Sequence, residues 1–227
     1  MRDVAVVIPA GGVGARLGSR TPKQFLSLGE ASILVTTVRR FARRRDVVGV
    51  VVAAPAEHVA RTKRALAGVA ARTALTVVPG GASRQESVAL GLAAVPAAEI
   101  VVVHDAVRPF ITDALVDRVV AAARAEGAAI CALPVKDTVK RVRDGRVEAT
   151  VDRTNLWSVQ TPQAFRAGLL REAHDKARRD AVMGTDCAML VERLGGTVHV
   201  VEGLEANVKI TTAGDLARAR ALVRRAP

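Results

Sequence analysis
The chain has 227 residues, half of them hydrophobic, and a formal net charge of +12. That length can bury one sizeable core. No run approaches the ~18 uninterrupted apolar residues of a membrane span, and no basic stretch leads into an apolar one with a cleavage site, so a cytoplasmic enzyme is expected. With one Trp, four Phe and no Tyr, stacking platforms for single-stranded nucleic acid are nearly absent. The charge is therefore assigned in part to steering of anionic substrates and mostly to compositional bias, with solvated Arg-rich helix faces such as Arg218-Ala-Arg220. An RNA-binding α/β module is the reading set aside. Cys131 and Cys187 sit among small apolar residues, and the four histidines are scattered, so neither a disulfide nor a zinc site is expected.

In chain order, strand-like runs fall at Val4–Ile8, Val47–Ala53, Leu75–Val78, Ile100–Val103, Ala128–Leu133 and Thr197–Val201. Helical patterns fill Ile33–Arg43, Glu57–Val69, Arg84–Val95, Thr112–Ala125, Thr185–Leu194 and Asp215–Val223. Ser83-x-x-Glu86 and Thr212-x-x-Asp215 read as capping boxes that open two of these helices. Strands alternating with helices predict α/β architecture: a mostly parallel, doubly wound (Rossmann-like) sheet in a single domain over 1–227. Between Asp137 and Arg153 the alternation breaks. Two short polar runs flank Asp144-Gly145, a hairpin signal. Such a hairpin cannot bury itself, so an arm at about 135–157 is expected to pack on a second copy and make a homodimer.

The first strand runs into Pro9-Ala-Gly-Gly-Val-Gly-Ala-Arg16, followed by Thr21-Pro-Lys23-Gln24. Gly11, Gly12 and Gly14 let backbone N–H groups approach a ligand, and Arg16 and Lys23 add two cations. The P-loop is excluded because no Gly-Lys-Ser/Thr occurs, and the dinucleotide fingerprint because Gly12-Val-Gly14-Ala-Arg-Leu-Gly18 is one residue too long. A plain strand-to-helix turn accounts for the glycines but not for the cations. A nucleoside triphosphate fits both.

In an open parallel sheet, ligands bind beyond the carboxyl ends of the strands. Three further segments fall there. Pro79-Gly80-Gly81-Ala-Ser83-Arg84-Gln-Glu-Ser87 can bring backbone against a flat base; a tight turn into a capped helix explains Gly80 and Ser83 but not Ser87. His104-Asp105-Ala-Val-Arg108-Pro109 offers a carboxylate that could hold Mg²⁺ or orient a hydroxyl, and an arginine suited to a phosphate. In Asn207-Val-Lys209-Ile-Thr211 a lysine follows the last strand region. No Ser-His-Asp or Cys-His arrangement is placed for covalent catalysis. Nucleotidyl transfer needs none, because a phosphate nucleophile is already ionised and catalysis rests on positioning and cations.

Taken in order, these segments, with Asp152-Arg153-x-x-Leu156-Trp157-x-x-Gln160-Thr161-Pro162-Gln163 and Thr185-Asp186, resemble the 2-C-methyl-D-erythritol 4-phosphate cytidylyltransferase family over nearly the whole chain. The resemblance implies transfer of CMP from CTP to the acceptor phosphate with release of pyrophosphate, and Mg²⁺ on the triphosphate. It implies catalytic roles for Arg16, Lys23, Arg153 and Lys209. It places the nucleotide on Pro9, Ala10, Gly11, Gly12, Gly14, Gly80, Gly81, Arg84 and Ser87, and the acceptor on Asp105, Arg108, Thr138, Arg153, Thr185 and Lys209. Thr138 and Arg153 would cross to the neighbouring subunit on the arm. Asp105 is the one candidate protein ligand for the metal. Two departures are Val107, where many relatives carry a second alanine, and Met183-Gly184, which replaces an aromatic residue common in the family before Thr-Asp. Ribitol-5-phosphate cytidylyltransferase shares the nucleotide motifs and is the nearest alternative. No fused second enzyme is expected after the last helix.

Overall fold
The computed structural model describes residues 2–12 and 21–225. In chain order the elements are β1 (Val4–Pro9), β2 (Ser27–Leu28), β3 (Ala31–Ser32), α1 (Ile33–Ala42), β4 (Val47–Ala54), α2 (Val59–Leu66), β5 (Ala74–Pro79), α3 (Arg84–Ala94) and β6 (Ile100–Val103). Then follow α4 (Asp113–Glu126), β7 (Ala128–Pro134), β8 (Val139–Arg143), β9 (Arg146–Val151), β10 (Trp157–Arg166), α5 (Ala167–Arg179), α6 (Cys187–Arg193), β11 (His199–Glu202) and α7 (Ala213–Arg225).

A seven-stranded sheet in the order β11-β7-β10-β6-β1-β4-β5 carries the domain. All its pairings are parallel except the two made by β10, which runs antiparallel to β6 and β7. Residues 4–8 of β1 are fully buried, as a strand covered on both faces requires. Alternation along β1 divides the core. Val4, Val6 and Ile8 pack with α1, α2 and α4, whereas Ala5 and Val7 pack with α3, α5 and α6. A smaller cluster of Leu28, Ile33, Val107, Ile210 and Leu216 seats α7 beside the loops at the strand ends.

The first strand has β4 on one side and β6 on the other. Successive connections therefore leave it in opposite directions, which opens a crevice at its carboxyl end.

Helix starts follow their capping residues. Ser83 accepts from the Glu86 N–H at 3.0 Å and Thr212 from the Asp215 N–H at 3.1 Å. The Thr212 box closes reciprocally, since Asp215 Oδ2 takes the Thr212 N–H at 2.9 Å. In the Ser83 box Glu86 instead reaches the Ala82 N–H at 2.8 Å, so only half of that box forms.

Three differences from the predicted elements matter. β10, with α5 directly after it, was not expected; Pro162 and the polar Gln160-Thr161 disguise a strand whose inner residues are buried. The helix expected over Thr185–Leu194 starts at Cys187, because Asp186 caps it through the Met189 N–H at 2.9 Å. Thr185 and Asp186 thus sit at its mouth. The helix expected over Glu57–Val69 is shorter: a 3₁₀ turn, Ala56–His58, precedes α2, which ends at Leu66.

The predicted hairpin is present as β8 and β9, a separate two-stranded sheet. Asp144 (φ 49°) and Gly145 (φ 76°) make the two-residue turn, the conformation that favours Asp-Gly. Val142 and Val147 are 55% and 61% exposed. An isolated ribbon is marginal in water. Its exposed valines are what a partner surface would cover.

Candidate active site
Two clefts meet at the switch point. The first, of about 310 Å³, is lined by Pro9, Ala10, Gly11 and Gly12 from the end of β1, by Lys23 and Gln24, and by Gly81, Arg84 and Ser87 at the start of α3. The second, of about 230 Å³, is lined by Arg108, Gln160, Thr161, Gln163, Thr185 and Asp186. Arg84, Asp105 and Lys209 line both. One crevice is thus divided by a charged seam.

Each wall has a local cause. The β1 loop turns on Gly12 at φ 117°, a backbone region that disfavours a Cβ. Lys23 rides on a 3₁₀ turn, Lys23–Phe25. That turn is tied to β1 by Gln24, whose buried amide donates to the Ala10 carbonyl at 2.9 Å. Ser87 is buried and faces back into the Gly80-Gly81 loop. Its Oγ accepts the Gly81 N–H at 3.2 Å and donates to the Ser83 carbonyl at 2.9 Å. The serine that a simple turn left unexplained is therefore the post on which the glycine loop is held.

Asp105 is the electrostatic centre. Its oxygens lie 3.1 Å from Arg84 Nε, 2.9 Å from Lys209 Nζ and 3.7 Å from Arg108 Nε. Burial alone would raise the carboxyl, but Arg84, Lys209 and Arg108 outweigh it and hold it far below the usual carboxylate range. Asp105 is therefore ionised near neutral pH. Reciprocally, burial works against the Arg84 charge, but Asp105 together with Cys187 offsets it and holds the guanidinium above its ordinary value. Arg108 also donates to the Asn207 carbonyl at 2.7 Å, which joins the segment carrying Lys209 to the seam.

The donor set does not fit a protein-held metal. Both Asp105 oxygens already face cations, and the described residues contain no group of three or more His, Cys, Asp or Glu able to hold an ion. The Asp105 carboxylate faces the cations around it, and no protein cage for an ion surrounds it among the described residues.

Of the expected site residues, Pro9, Ala10, Gly11, Gly12, Lys23, Gly81, Arg84, Ser87, Asp105 and Lys209 converge on the first cleft, and Arg108 and Thr185 on the second. Gly80 backs the first cleft, its N–H bonded to the Ala54 carbonyl at 2.7 Å. Thr138 and Arg153 are exposed at the root of the arm and line neither cleft of their own chain. Gly14 and Arg16 lie outside the described residues.

Sequence reasoning passed over the β10 contribution. The ladder register shifts between Val159 and Gln163, and in that irregularity Gln160 and Thr161 turn toward the second cleft. Gln163 also faces it, its amide donating to Asp186 Oδ2 at 2.8 Å. Gln24 in the first cleft was likewise unassigned. The available signal was their place inside the motifs that carried the resemblance.

The comparisons agree with this geometry. Residues 4–225 match the family described as 2-C-methyl-D-erythritol 4-phosphate cytidylyltransferase. The enzyme of that name from Bacillus pumilus is 44% identical over 219 residues, covering 96% of each chain. The one from Syntrophotalea carbinolica is 45% identical over 224 residues, covering 97% of this chain and 96% of its own. The crystal structure of the Thermus thermophilus enzyme superposes with a TM-score of 0.81 at 40% identity, covering 98% of this chain and 99% of that one. With this site at the switch point of this sheet, the chain belongs to the 2-C-methyl-D-erythritol 4-phosphate cytidylyltransferase family.

Proposed function
We propose that the two clefts divide the substrates of the cytidylyl transfer that this family performs. CTP takes the first cleft, with its base against Gly80, Gly81 and Ser87 and its phosphates along the β1 loop. Methylerythritol phosphate takes the second, between Arg108 and Thr185. Its phosphate, already ionised, attacks the α-phosphate of CTP in line, and pyrophosphate leaves. The bond formed is acceptor oxygen to α-phosphorus; the bond broken joins that phosphorus to the β-bridging oxygen. No general base is needed. What the chain supplies is orientation and positive charge at the crowded phosphorus. Lys23, with Arg16, acts from the nucleotide side, and Lys209, held at the seam by Asp105, from the acceptor side. Any Mg²⁺ comes bound to the triphosphate as part of the nucleotide substrate.

The observation that carries this reading is the seam itself. Arg84, Asp105 and Lys209 line both clefts, so a phosphate in each would meet the same cations. We further propose that the arm makes a homodimer, in which Thr138 and Arg153 of one chain complete the second cleft of the other. Their exposure supports this, because in their own chain they line neither cleft. A ribitol 5-phosphate acceptor has no observation of its own in its favour.

Lys23→Ala tests the mechanism. Loss of one preorganised charge at the transition state is expected to lower turnover on the order of 10²-fold, with secondary structure unchanged. Turnover within a few-fold of wild type would remove Lys23 from the mechanism.

A further inference from the structure
We propose that His104, which lines neither cleft, is the positioning residue that fixes the acceptor half of the seam, acting as a neutral hydrogen-bond bridge between the Asp105–Arg108 turn and β10. This rests on the reading of the second cleft as the acceptor site.

His104 lies at the end of β6 and is fully buried, its ring edge against Phe41 with centroids 5.1 Å apart. Its Nε2 is 3.0 Å from the carbonyl oxygen of Arg108, and its Nδ1 is 3.1 Å from Thr161 Oγ1. A carbonyl can only accept, so Nε2 carries the proton. Nδ1 is then an acceptor, and the Thr161 hydroxyl donates to it. That hydroxyl oxygen in turn accepts the Asp105 N–H at 3.0 Å. The chain of bonds therefore has one direction: Asp105 N–H to Thr161, Thr161 O–H to His104, and His104 N–H to the Arg108 carbonyl. For a neutral ring this geometry admits one tautomer, with the proton on Nε2. Burial pushes the imidazole down to about 4, consistent with a ring that stays neutral.

The rest of the turn is pinned as well. The Ala106 carbonyl accepts from Thr37 Oγ1 at 3.0 Å, and the Val107 carbonyl from the Ile210 N–H at 3.0 Å. Asn207 Nδ2 donates to the Thr161 carbonyl at 2.8 Å, while the Asn207 carbonyl takes Arg108 Nη1 at 2.7 Å. His104 is the side chain that closes this frame, joining the last carbonyl of the turn to the strand that lines the second cleft. Asp105 and Arg108 project from the framed turn. A shift of the turn would move Arg108, which lines only the second cleft, against the acceptor. Asp105, Ala106 and Val107 also border the first cleft, but the Gly80-Gly81 loop and the Lys23 turn there are held by other bonds.

Replacing His104 should therefore separate the two substrates. In His104→Asn the amide oxygen can still accept near the Nδ1 position, but the bond to the Arg108 carbonyl is lost. In His104→Gln the amide nitrogen can reach that carbonyl, but the acceptor for Thr161 is lost. Steady-state kinetics and CTP binding are measured on both, with unfolding curves alongside. The expected result is an acceptor KM raised on the order of tenfold, as for loss of one hydrogen bond's worth of positioning, with the CTP dissociation constant within about threefold. Equal changes in both substrates, or no change in either, would overturn the proposal. Histidine nitrogen NMR of the wild-type enzyme tests it even where the variants do not fold: the Nε2-protonated tautomer near pH 7 is expected, and the Nδ1–H tautomer or an imidazolium contradicts it. Failure of the acceptor reading itself shows differently, as wild-type enzyme that does not turn over methylerythritol phosphate.

Discussion
Replacing Asp105 with asparagine removes the carboxylate that faces Arg84, Arg108 and Lys209 without changing side-chain shape. The Asp105 side chain is 9% exposed and that of Arg108 10%, whereas those of Arg84 and Lys209 are 29% and 41% exposed. Breaking a fully buried pair by removing one partner typically costs about 3–5 kcal/mol. Arg84 and Lys209 can turn toward water, and Arg108 keeps the Asn207 carbonyl, so roughly 2–3 kcal/mol is the expected loss near neutral pH. For a chain of this size that is a fall in Tm of about 4–12 °C. The pH dependence carries the sign. The folded carboxyl is held below its unfolded value of about 3.9, so its stabilisation is fully present above that value and is lost as pH falls through the folded one. Urea unfolding of both proteins from pH 8 to pH 4 should therefore show a constant gap. A gap near zero at pH 7, or one that closes by pH 6, would refute the assignment of Asp105 as the ionised hub. Inorganic phosphate should narrow the gap by replacing the missing charge.

Two other outcomes test separate parts of the account. If Arg153 serves the neighbouring chain, mixing Arg153→Ala with Lys23→Ala protomers should restore part of the activity in heterodimers; no recovery after confirmed subunit exchange would mean that each site is built from one chain. His104 and His174 are both depressed to about 4, chiefly by burial. Below about pH 6.5 the unfolded chain therefore takes up two protons that the fold refuses until about pH 4, and stability falls across that window. The expected loss between pH 7 and pH 5 is roughly 2 kcal/mol per histidine, and a flat stability profile over that range would contradict their neutral burial.

Much of the architecture could be read from periodicity, since the parallel strands are short β-branched runs bounded by Gly, Pro or capping residues. The hairpin could be read from Asp144-Gly145 alone. β10 could not, because Pro162 and three polar residues interrupt it; those polar residues line the second cleft, where the local strand signal gives way. Helix α5 was hidden for another reason. Its buried stripe of Leu170, Ala173 and Ala177 is mostly alanine, set among charged residues. At the site, the glycine loops and Lys23 announced themselves through spacing. The Asp105 hub did not, because its partners Arg84 and Lys209 lie far from it in sequence, and only the sheet order brings the ends of β6, α3 and the segment after β11 together. In the sequence Asp105 could hold Mg²⁺ or orient a hydroxyl; its place among three cations became visible only in the structure.

Pyrophosphate release from CTP and Mg²⁺, compared between methylerythritol phosphate and ribitol 5-phosphate as acceptors, tests the functional assignment most directly. Turnover with methylerythritol phosphate that exceeds turnover with ribitol 5-phosphate by at least an order of magnitude is the predicted result. Equal or greater turnover with ribitol 5-phosphate, or none with either acceptor, would contradict it.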